Sequence, residues 1–323
     1  MMTEQLNWGI LSAAKIAREF VAPAIHASAR GRIAAVASRT PGKAEALAAP
    51  YGPVAIHHDY QALLADPGVD AVYIGLPNAA HVEWTEKALR AGKHVLCEKP
   101  LALTAAEIEA LIRTRDETGR FAAEAFMVTH HPQWLRVREL VASHEIGRLV
   151  GVQGGFSFYN DDPGNIRNDA AQGGGALRDI GVYPAIVTRF VTGEEPGKIS
   201  ARLDWDGGID ASARVWADFT SFTLEFFVSM RRAPWQQMLF HGEKGWIRVN
   251  APFNAEAYGD PVIEIFTVAG GRRFEHFARI DQYAAQAEAF AASVFDGAPY
   301  ACPLEFSLGN QKMIDAIYVA GGG

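Results

Sequence analysis

Cysteine is almost absent from the chain. Cys97 and Cys302 are the only two, far apart and in no metal-ligand spacing. A disulfide framework and a zinc site are therefore excluded as expectations, and no metal of any kind is expected; reduced thiols in a cytoplasmic setting fit better. Long apolar runs are missing too: nothing approaches the roughly 18 residues of a membrane helix, and Met1 to Gln5 lack the basic-then-apolar order of a leader. No run of basic residues occurs, and the formal net charge is -7. Nucleic acid and anionic membrane surfaces both need concentrated Lys and Arg, so neither is an expected partner. A small metabolite remains.

The chain has 323 residues, 49% of them hydrophobic. That length exceeds the roughly 250–300 residues at which one core stops growing, so two domains are expected, divided as residues 1–124 and 125–323. In the first, short apolar segments alternate with helical ones. Trp8 to Leu11, Ile33 to Ala37, Asp70 to Asn78 and His94 to Cys97 have the character of buried strands, with helices near Ala14 to Ser28, from Thr40–Pro41, and from His81 to Ala91. This is the βαβ rhythm of a doubly wound parallel sheet, a Rossmann-type α/β domain. Thr40 before Pro41, and Thr104 three residues before Glu107, carry the residue types that start helices. After Gly147 the period shifts toward two, as in Leu149 to Gln153 and Phe222 to Phe226. The second domain is expected to be α+β with a large, mostly antiparallel open sheet. Helices are expected over Gly175 to Val191 and Gln282 to Asp296, and a last one near Pro303 to Val319 is expected to pack back on the first domain.

Ligands of open α/β sheets gather beyond the carboxyl ends of the strands. Behind the first strand, Ser12, Ala13, Ala14, Lys15, Ile16 and Ala17 occupy the place of a G-x-G-x-x-G/A loop, with small residues where its first two glycines would stand. A tight turn and a helix N-terminus aimed at a pyrophosphate can still form, with Ser and Ala adopting it at negative φ; an ordinary strand-to-helix turn is the alternative. After the second strand come Ser38, Arg39 and Thr40, where an NAD enzyme usually has an acid. A hydroxyl and a guanidinium suit the 2′-phosphate of NADP, so NADP is expected ahead of NAD, unless Arg39 is simply a solvated residue before a helix. Lys99 follows the apolar strand His94 to Cys97 and lies between Glu98 and Pro100. Were Gly175 to Val191 helical, Asp179 and Tyr183 would share one face, one turn apart. A tyrosine transfers a hydroxyl proton once a cation lowers its pKa from about 10, and Lys99 is the candidate cation. Packing for the tyrosine and a surface position for the acid are the plain alternatives. His130 and His131 adjoin a helix start, where capping or packing outweighs a ligand role.

Taken together, Trp8-Gly9-Ile10-Leu11-Ser12, Leu76-Pro77-Asn78-Ala79-Ala80-His81, Glu98-Lys99-Pro100-Leu101, Glu124-Ala125-Phe126-Met127, His131-Pro132-Gln133, Asn165-Ile166-Arg167 and the stretch from Gly173 to Pro184 resemble the Gfo/Idh/MocA family of oxidoreductases. The Asp-x-x-x-Tyr form is similar to the branch with D-xylose dehydrogenases, dimeric dihydrodiol dehydrogenases and glucose-fructose oxidoreductase; many other members have His at the place of Tyr183. The resemblance implies a Rossmann domain followed by a sheet domain whose open face makes homodimers or homotetramers. It implies hydride transfer between nicotinamide and a sugar or cyclic polyol, with Lys99, Tyr183 and Asp179 as catalytic residues. Leu76, Pro77, Asn78, His81 and Glu98 would line the nicotinamide and its ribose. In the polar stretch from Tyr159 to Gly174, Arg167 would contact substrate, with Phe158 just before it. Oxidation of an aldose at its anomeric carbon, D-xylose-like, or of a trans-dihydrodiol, leads; a nucleotide-binding sensor without turnover and a glucose-fructose-type enzyme with a tightly held cofactor are the alternatives.

Overall fold

The computed structural model describes residues 4–255, 258–277 and 280–322. By contacts the chain falls into two compact units, one of residues 1–130 with 281–308 and the other of residues 131–280 with 309–323. The simple cut expected after residue 124 therefore becomes a division near His130 with a later segment returning to the first unit.

The first unit alternates β1 (Leu6–Leu11), α1 (Ala22–Ala27), β2 (Gly31–Ala37), α2 (Lys43–Ala48), β3 (Ala55–His57), α3 (Tyr60–Leu64), β4 (Ala71–Ile74), α4 (His81–Arg90), β5 (His94–Cys97), α5 (Ala105–Thr118) and β6 (Ala122–Glu124). Its six strands are all parallel in the order β3-β2-β1-β4-β5-β6, the doubly wound Rossmann arrangement. Buried on both faces, the central β4 is apolar at every position rather than alternating; Leu11, Val72, Ile74, Val95 and Cys97 join Leu63, Leu89, Ile108 and Leu111 in one core. Thr104 and Glu107 form the expected reciprocal cap at the start of α5, each side chain bonding the other's backbone N–H.

Two expectations at strand ends need correction. The second helix starts at Lys43, not at Pro41: the Ser38 hydroxyl bonds the Thr40 backbone at 3.2 Å and Gly42 takes φ 76°, so Thr40–Pro41 belong to a turn. Ser12 has φ 84° rather than a negative value. It adopts the left-handed geometry that a glycine takes in such a loop, at a cost of about 1–2 kcal/mol for a residue with a Cβ. Helix follows from Lys15, widening to a π-turn over Ala17–Val21 ahead of Pro23, whose missing N–H the wider turn accommodates.

The second unit holds α6 (Pro132–Ala142), β7 (Leu149–Tyr159), α7 (Val182–Thr192), β8 (Ile199–Asp206), β9 (Ile209–Asp218), β10 (Thr223–Ser229), β11 (Arg231–Gly242), β12 (Gly245–Val249), β13 (Val262–Thr267) and β14 (Gly271–His276). Its eight strands run β14-β13-β12-β11-β7-β10-β9-β8, with β7 and β10 parallel and the other neighbours antiparallel. Burial alternates along them: Ala213, Val215 and Ala217 are buried on β9 while Arg214, Trp216 and Asp218 are exposed. One face is covered, with α7 against β7 and Trp134 of α6 edge-on to Phe240 of β11. The other face is open.

Two helices complete the chain. In the first unit α8 (Gln282–Asp296) lays Phe290 on the buried Trp8 of β1, ring centroids 4.9 Å apart, a burial worth about 2–3 kcal/mol per aromatic side chain. The last helix, α9 (Leu304–Ala320), starts in the first unit and belongs to the second from Gly309 on.

Candidate active site

At the carboxyl ends of β1 and β2 the first unit presents backbone and one cation. The turn Ser12–Ala14 leads into the helix starting at Lys15, whose first N–H groups have no partner within the helix. The Lys15 side chain turns to solvent and pairs with Glu19 at 3.7 Å, so here the backbone of residues 12–16 is what a ligand can meet. Arg39 is exposed, its guanidinium over the Tyr60 ring at 5.2 Å. Ser38 is buried with its hydroxyl occupied by the Thr40 turn. The Ser12 N–H already donates to the Ala37 carbonyl at 3.0 Å, so the helix-start N–H groups that follow it, together with an exposed guanidinium at the next strand end, are what suit a phosphate-bearing ligand.

After β4, Leu76 is buried and Pro77 and Asn78 are half-buried ahead of α4. His81 does not face outward: it is 1% exposed, its Nδ1 lies 2.8 Å from the Pro100 carbonyl and its Nε2 2.7 Å from the Leu76 carbonyl. It lies between two strand-end loops and, as a neutral ring, donates its one N–H to one of these two carbonyls. Glu98 accepts a hydrogen bond from the Tyr73 hydroxyl at 2.7 Å, while burial, reinforced by Glu98, holds Tyr73 far above its ordinary pKa. Lys99 is half-buried and the Lys99–Pro100 peptide is cis.

Behind this turn stands a group that the sequence did not single out as a site residue. Glu124, the last residue of β6, is buried and accepts the Leu101 N–H at 2.8 Å. Burial raises its pKa to about 7; the Leu101 N–H, the Ser307 hydroxyl and the Lys99 charge act the other way, and Glu98 adds to the rise. Between about 4.5 and 7 the folded state holds a proton that the unfolded chain releases, so stability from this group falls as pH rises through that window, by about 3 kcal/mol. His130 and His131, lowered by burial to about 4, work oppositely. They withdraw stability as pH falls from 6.5 toward 4. His131 is the cap expected of it, its Nδ1 accepting the Gln133 N–H at 3.2 Å at the start of α6.

In the second unit, helix runs from Ala176 through a π-turn, Leu177–Gly181, into α7, with Pro184 again following the wide turn. Asp179 lies in the π-turn and Tyr183 one turn on. Arg167 Nε donates to Asp179 Oδ2 at 2.7 Å, so two of the expected substrate contacts form an ion pair. The Tyr183 ring stacks on Phe253 at 5.3 Å and lies 5.9 Å from Phe156, which in turn meets Phe158 at 6.3 Å and Tyr258 at 5.7 Å. Burial, and then the Asp179 charge, raise the Tyr258 pKa. The result is a carboxylate–guanidinium pair beside an aromatic wall, a combination that hydrogen-bonds hydroxyl groups and packs the apolar face of a ring.

The start of this helix is fixed by Asp210 of β9, another acid not singled out in the sequence. Its Oδ2 accepts the Leu177 N–H and its Oδ1 the Tyr318 hydroxyl, both at 2.7 Å. Burial raises its pKa to about 6 against those two hydrogen bonds and the Arg178 charge. Both Asp210 and Glu124 are lone acids inside short runs with no other charge, Gly208 to Ala213 and Ala122 to Phe126, and that is the signal that could have marked them.

Two family models match: "Oxidoreductase family, NAD-binding Rossmann fold" over residues 6–126, and "GFO/IDH/MocA C-terminal domain" over residues 134–248. An uncharacterized oxidoreductase of Rhizobium meliloti is 40% identical over 97% of this chain and 96% of its own. A D-xylose 1-dehydrogenase (NADP(+)) of Haloferax volcanii is 35% identical over 97% of this chain and 96% of its own. Among solved structures, a 3-ketoreductase from Actinomadura kijaniata in complex with NADP and TDP-benzene superposes with a TM-score of 0.90 at 31% identity, covering 98% of each chain. Other structures of that reductase carry replacements of one tyrosine and of one lysine, and these are separated along its chain by the same number of residues as Tyr183 and Lys99 are here.

Proposed function

The chain belongs to the GFO/IDH/MocA oxidoreductase family, and from that premise we propose that it is an NADP-dependent dehydrogenase acting on a sugar or cyclic polyol, with an aldose as substrate and the anomeric carbon as the site of oxidation. The pairing of Arg167 with Asp179 one turn before Tyr183 carries the substrate side of this reading, because it presents hydroxyl-binding groups beside the one phenol set to exchange a proton. The D-xylose activity of the Haloferax relative supports an aldose. The cytoplasm is the assigned compartment.

The residues at the first unit's strand ends fit a dinucleotide. The left-handed Ser12 reproduces the geometry of a glycine in the phosphate loop, the small side chains at 12–14 let the backbone approach, and the helix N–H groups receive the charge. Exposed Arg39, with no acid beside it at the end of β2, would hold the 2′-phosphate of NADP. Arg39→Ala is expected to raise the dissociation constant for NADP about tenfold and leave that for NAD within about twofold, as a lost guanidinium–phosphate contact does. Fluorescence titration with both cofactors measures it, and equal effects on the two would remove Arg39 from this role.

A bound NADP would supply the hydride acceptor for an alcohol carbon. Tyr183, as phenolate, would accept the hydroxyl proton and become the phenol, and Lys99 is assigned the cation that such a phenolate requires. Asp179, held by Arg167, orients a neighbouring hydroxyl. A second copy of the chain is the partner assigned to the open face of the eight-stranded sheet, where Trp216, Trp235 and Phe227 stand outward and Phe227 stacks on Trp235 at 5.3 Å. Sedimentation velocity showing only a monomer contradicts that assignment. Turnover is tested with a panel of aldoses, inositols and trans-diols against NADP and NAD separately, following reduced-cofactor absorbance. An aldose oxidised faster with NADP is the expected result. Silence across the panel favours a nucleotide-binding sensor, and nicotinamide absorbance in the protein as purified favours a tightly held cofactor.

A further inference from the structure

The loop that carries Arg167 has no buried anchor. From residue 160 to residue 172 every residue is exposed or half-buried, and Ile166, the one large apolar side chain among them, is 44% exposed. A loop without apolar anchorage stays closed through its hydrogen bonds, so the groups that tie it to the sheet set how often it opens. Arg231 gathers several of those ties. It opens β11 opposite Tyr159, the last residue of β7, and its guanidinium makes five hydrogen bonds. Nε and one terminal nitrogen donate to Asp206 Oδ2 at the end of β8, at 3.1 and 2.9 Å, which fixes the plane of the fork. The same terminal nitrogen donates to Asn168 Oδ1 at 3.1 Å. The other reaches the Asn160 carbonyl, where the loop begins, and the Met230 carbonyl at 3.2 Å. One side chain thus joins both ends of residues 160–168 to the sheet.

From Asn168 the hold passes to Arg167 by a short path. The Asn168 side-chain nitrogen donates to the Asp162 carbonyl at 2.9 Å and to Asn160 Oδ1 at 3.1 Å, closing the loop on itself. Arg167 and Asn168 share one 3-10 turn, Ile166–Asn168. Its cap, Asn165, takes the Arg167 N–H on its side chain at 3.1 Å and the Asn168 N–H on its carbonyl at 2.9 Å. The Arg167 carbonyl accepts the Gly175 N–H at 3.0 Å, and its Nε donates to Asp179 at 2.7 Å. We propose that Arg231 is a positioning residue: it holds the loop 160–168 closed and thereby keeps the Arg167 guanidinium on Asp179. An ammonium has no planar fork to span a carboxylate, an amide and a carbonyl at once, so lysine is no substitute here. That Arg167 then meets substrate rests on the function proposed above; the lock does not, and it is read without any substrate.

Trypsin cuts after arginine, so the Arg167–Asn168 bond reports on the lock directly. Native protein is digested briefly, and cleavage at Arg167, at Arg214 of β9 and at Arg248 of β12 is quantified by mass spectrometry. In Arg231→Ala, cleavage at Arg167 relative to the two strand sites is expected to rise about tenfold, as for a charge-assisted hydrogen bond lost from the closed state. A rise shared equally by all three sites, or none at Arg167, overturns the proposal, because general destabilisation opens every site alike. Asn168→Ala removes the acceptor through which the guanidinium holds the turn. Within that background, adding Arg231→Ala should raise cleavage at Arg167 by no more than about threefold; the full tenfold in both backgrounds contradicts the proposal. On the substrate found in the panel, Arg231→Ala should raise KM about tenfold with kcat within about twofold. A loop that opens selectively while KM stays unchanged leaves the lock intact and refutes only the contact of Arg167 with substrate. Selective opening in a protein that turns over no sugar refutes only the function.

Discussion

Tyr183→Phe and Lys99→Met are each expected to reduce turnover by about two orders of magnitude or more while leaving NADP binding within about twofold of wild type. The expectation is sharp because neither change removes packing. Phenylalanine keeps the ring stacked on Phe253 and beside Phe156, and methionine keeps most of the lysine stem. What is lost is the hydroxyl that exchanges a proton and the charge that stabilises its conjugate base. A hundredfold loss corresponds to about 2.7 kcal/mol of transition-state stabilisation, within the range for a single general acid–base group. Steady-state kinetics on the substrate found in the panel, with separate titration of NADP, distinguish this from a binding defect. Unaltered kcat in both variants removes these residues from the chemistry.

Gly175→Ala is expected to be strongly destabilising at the second unit's cluster. Gly175 has φ 127°, a conformation essentially reserved for glycine, and a Cβ built there would overlap Oδ1 of the buried Asp210. For Oδ1 to move away, it must surrender the Tyr318 hydroxyl, on the same carboxylate whose Oδ2 holds the Leu177 N–H at the start of the helix carrying Asp179 and Tyr183. Backbone strain of about 1–3 kcal/mol and the loss of one charge-assisted hydrogen bond add to about 4 kcal/mol, or roughly 10 °C in melting temperature. Gly42→Ala is the control: φ is 76° and nothing lies within 4 Å of the new Cβ, so strain alone applies and the cost should stay near 1 kcal/mol. Scanning fluorimetry compares the two. Equal melting temperatures would mean that the contact with Asp210 is relieved without cost.

Much of the first unit was legible because buried parallel strands are continuous apolar runs. His94 to Cys97 was expected with both its boundaries, as was the cap at Thr104. β3 and β6 have three residues each, too short for any periodicity to register, and neither was anticipated. The start of α2 was misplaced because Thr40–Pro41 has the local chemistry of a cap, while the deciding interactions, the Ser38 side chain and the left-handed Gly42, lie outside that pair. Ser12 shows a deeper limit: the residue type favours negative φ, and only the tertiary fold places it at 84°.

The site was legible where chemistry-bearing residues cluster along the chain. Arg167 and Asp179 were expected as separate substrate contacts, and their ion pair could not be inferred because it depends on the fold of the loop between them. The aromatic wall draws on Phe156, Phe253 and Tyr258, which lie on distant segments, so no spacing rule connects it to Tyr183. His81 was expected to line the cofactor, and its burial between the Pro100 and Leu76 carbonyls could not be read from its position at a helix start. A buried histidine and an exposed one look alike in sequence when each begins a helix.

In the proposed reaction hydride leaves the anomeric carbon of an aldose for the nicotinamide of NADP. This transfer is tested most directly with D-xylose deuterated at C1, incubated with the protein and NADP, the reduced cofactor then being examined by proton NMR. Deuterium at nicotinamide C4 in the reduced cofactor is the predicted result; reduced cofactor formed from the deuterated sugar without label, or no reduction with this or any other aldose, would contradict it.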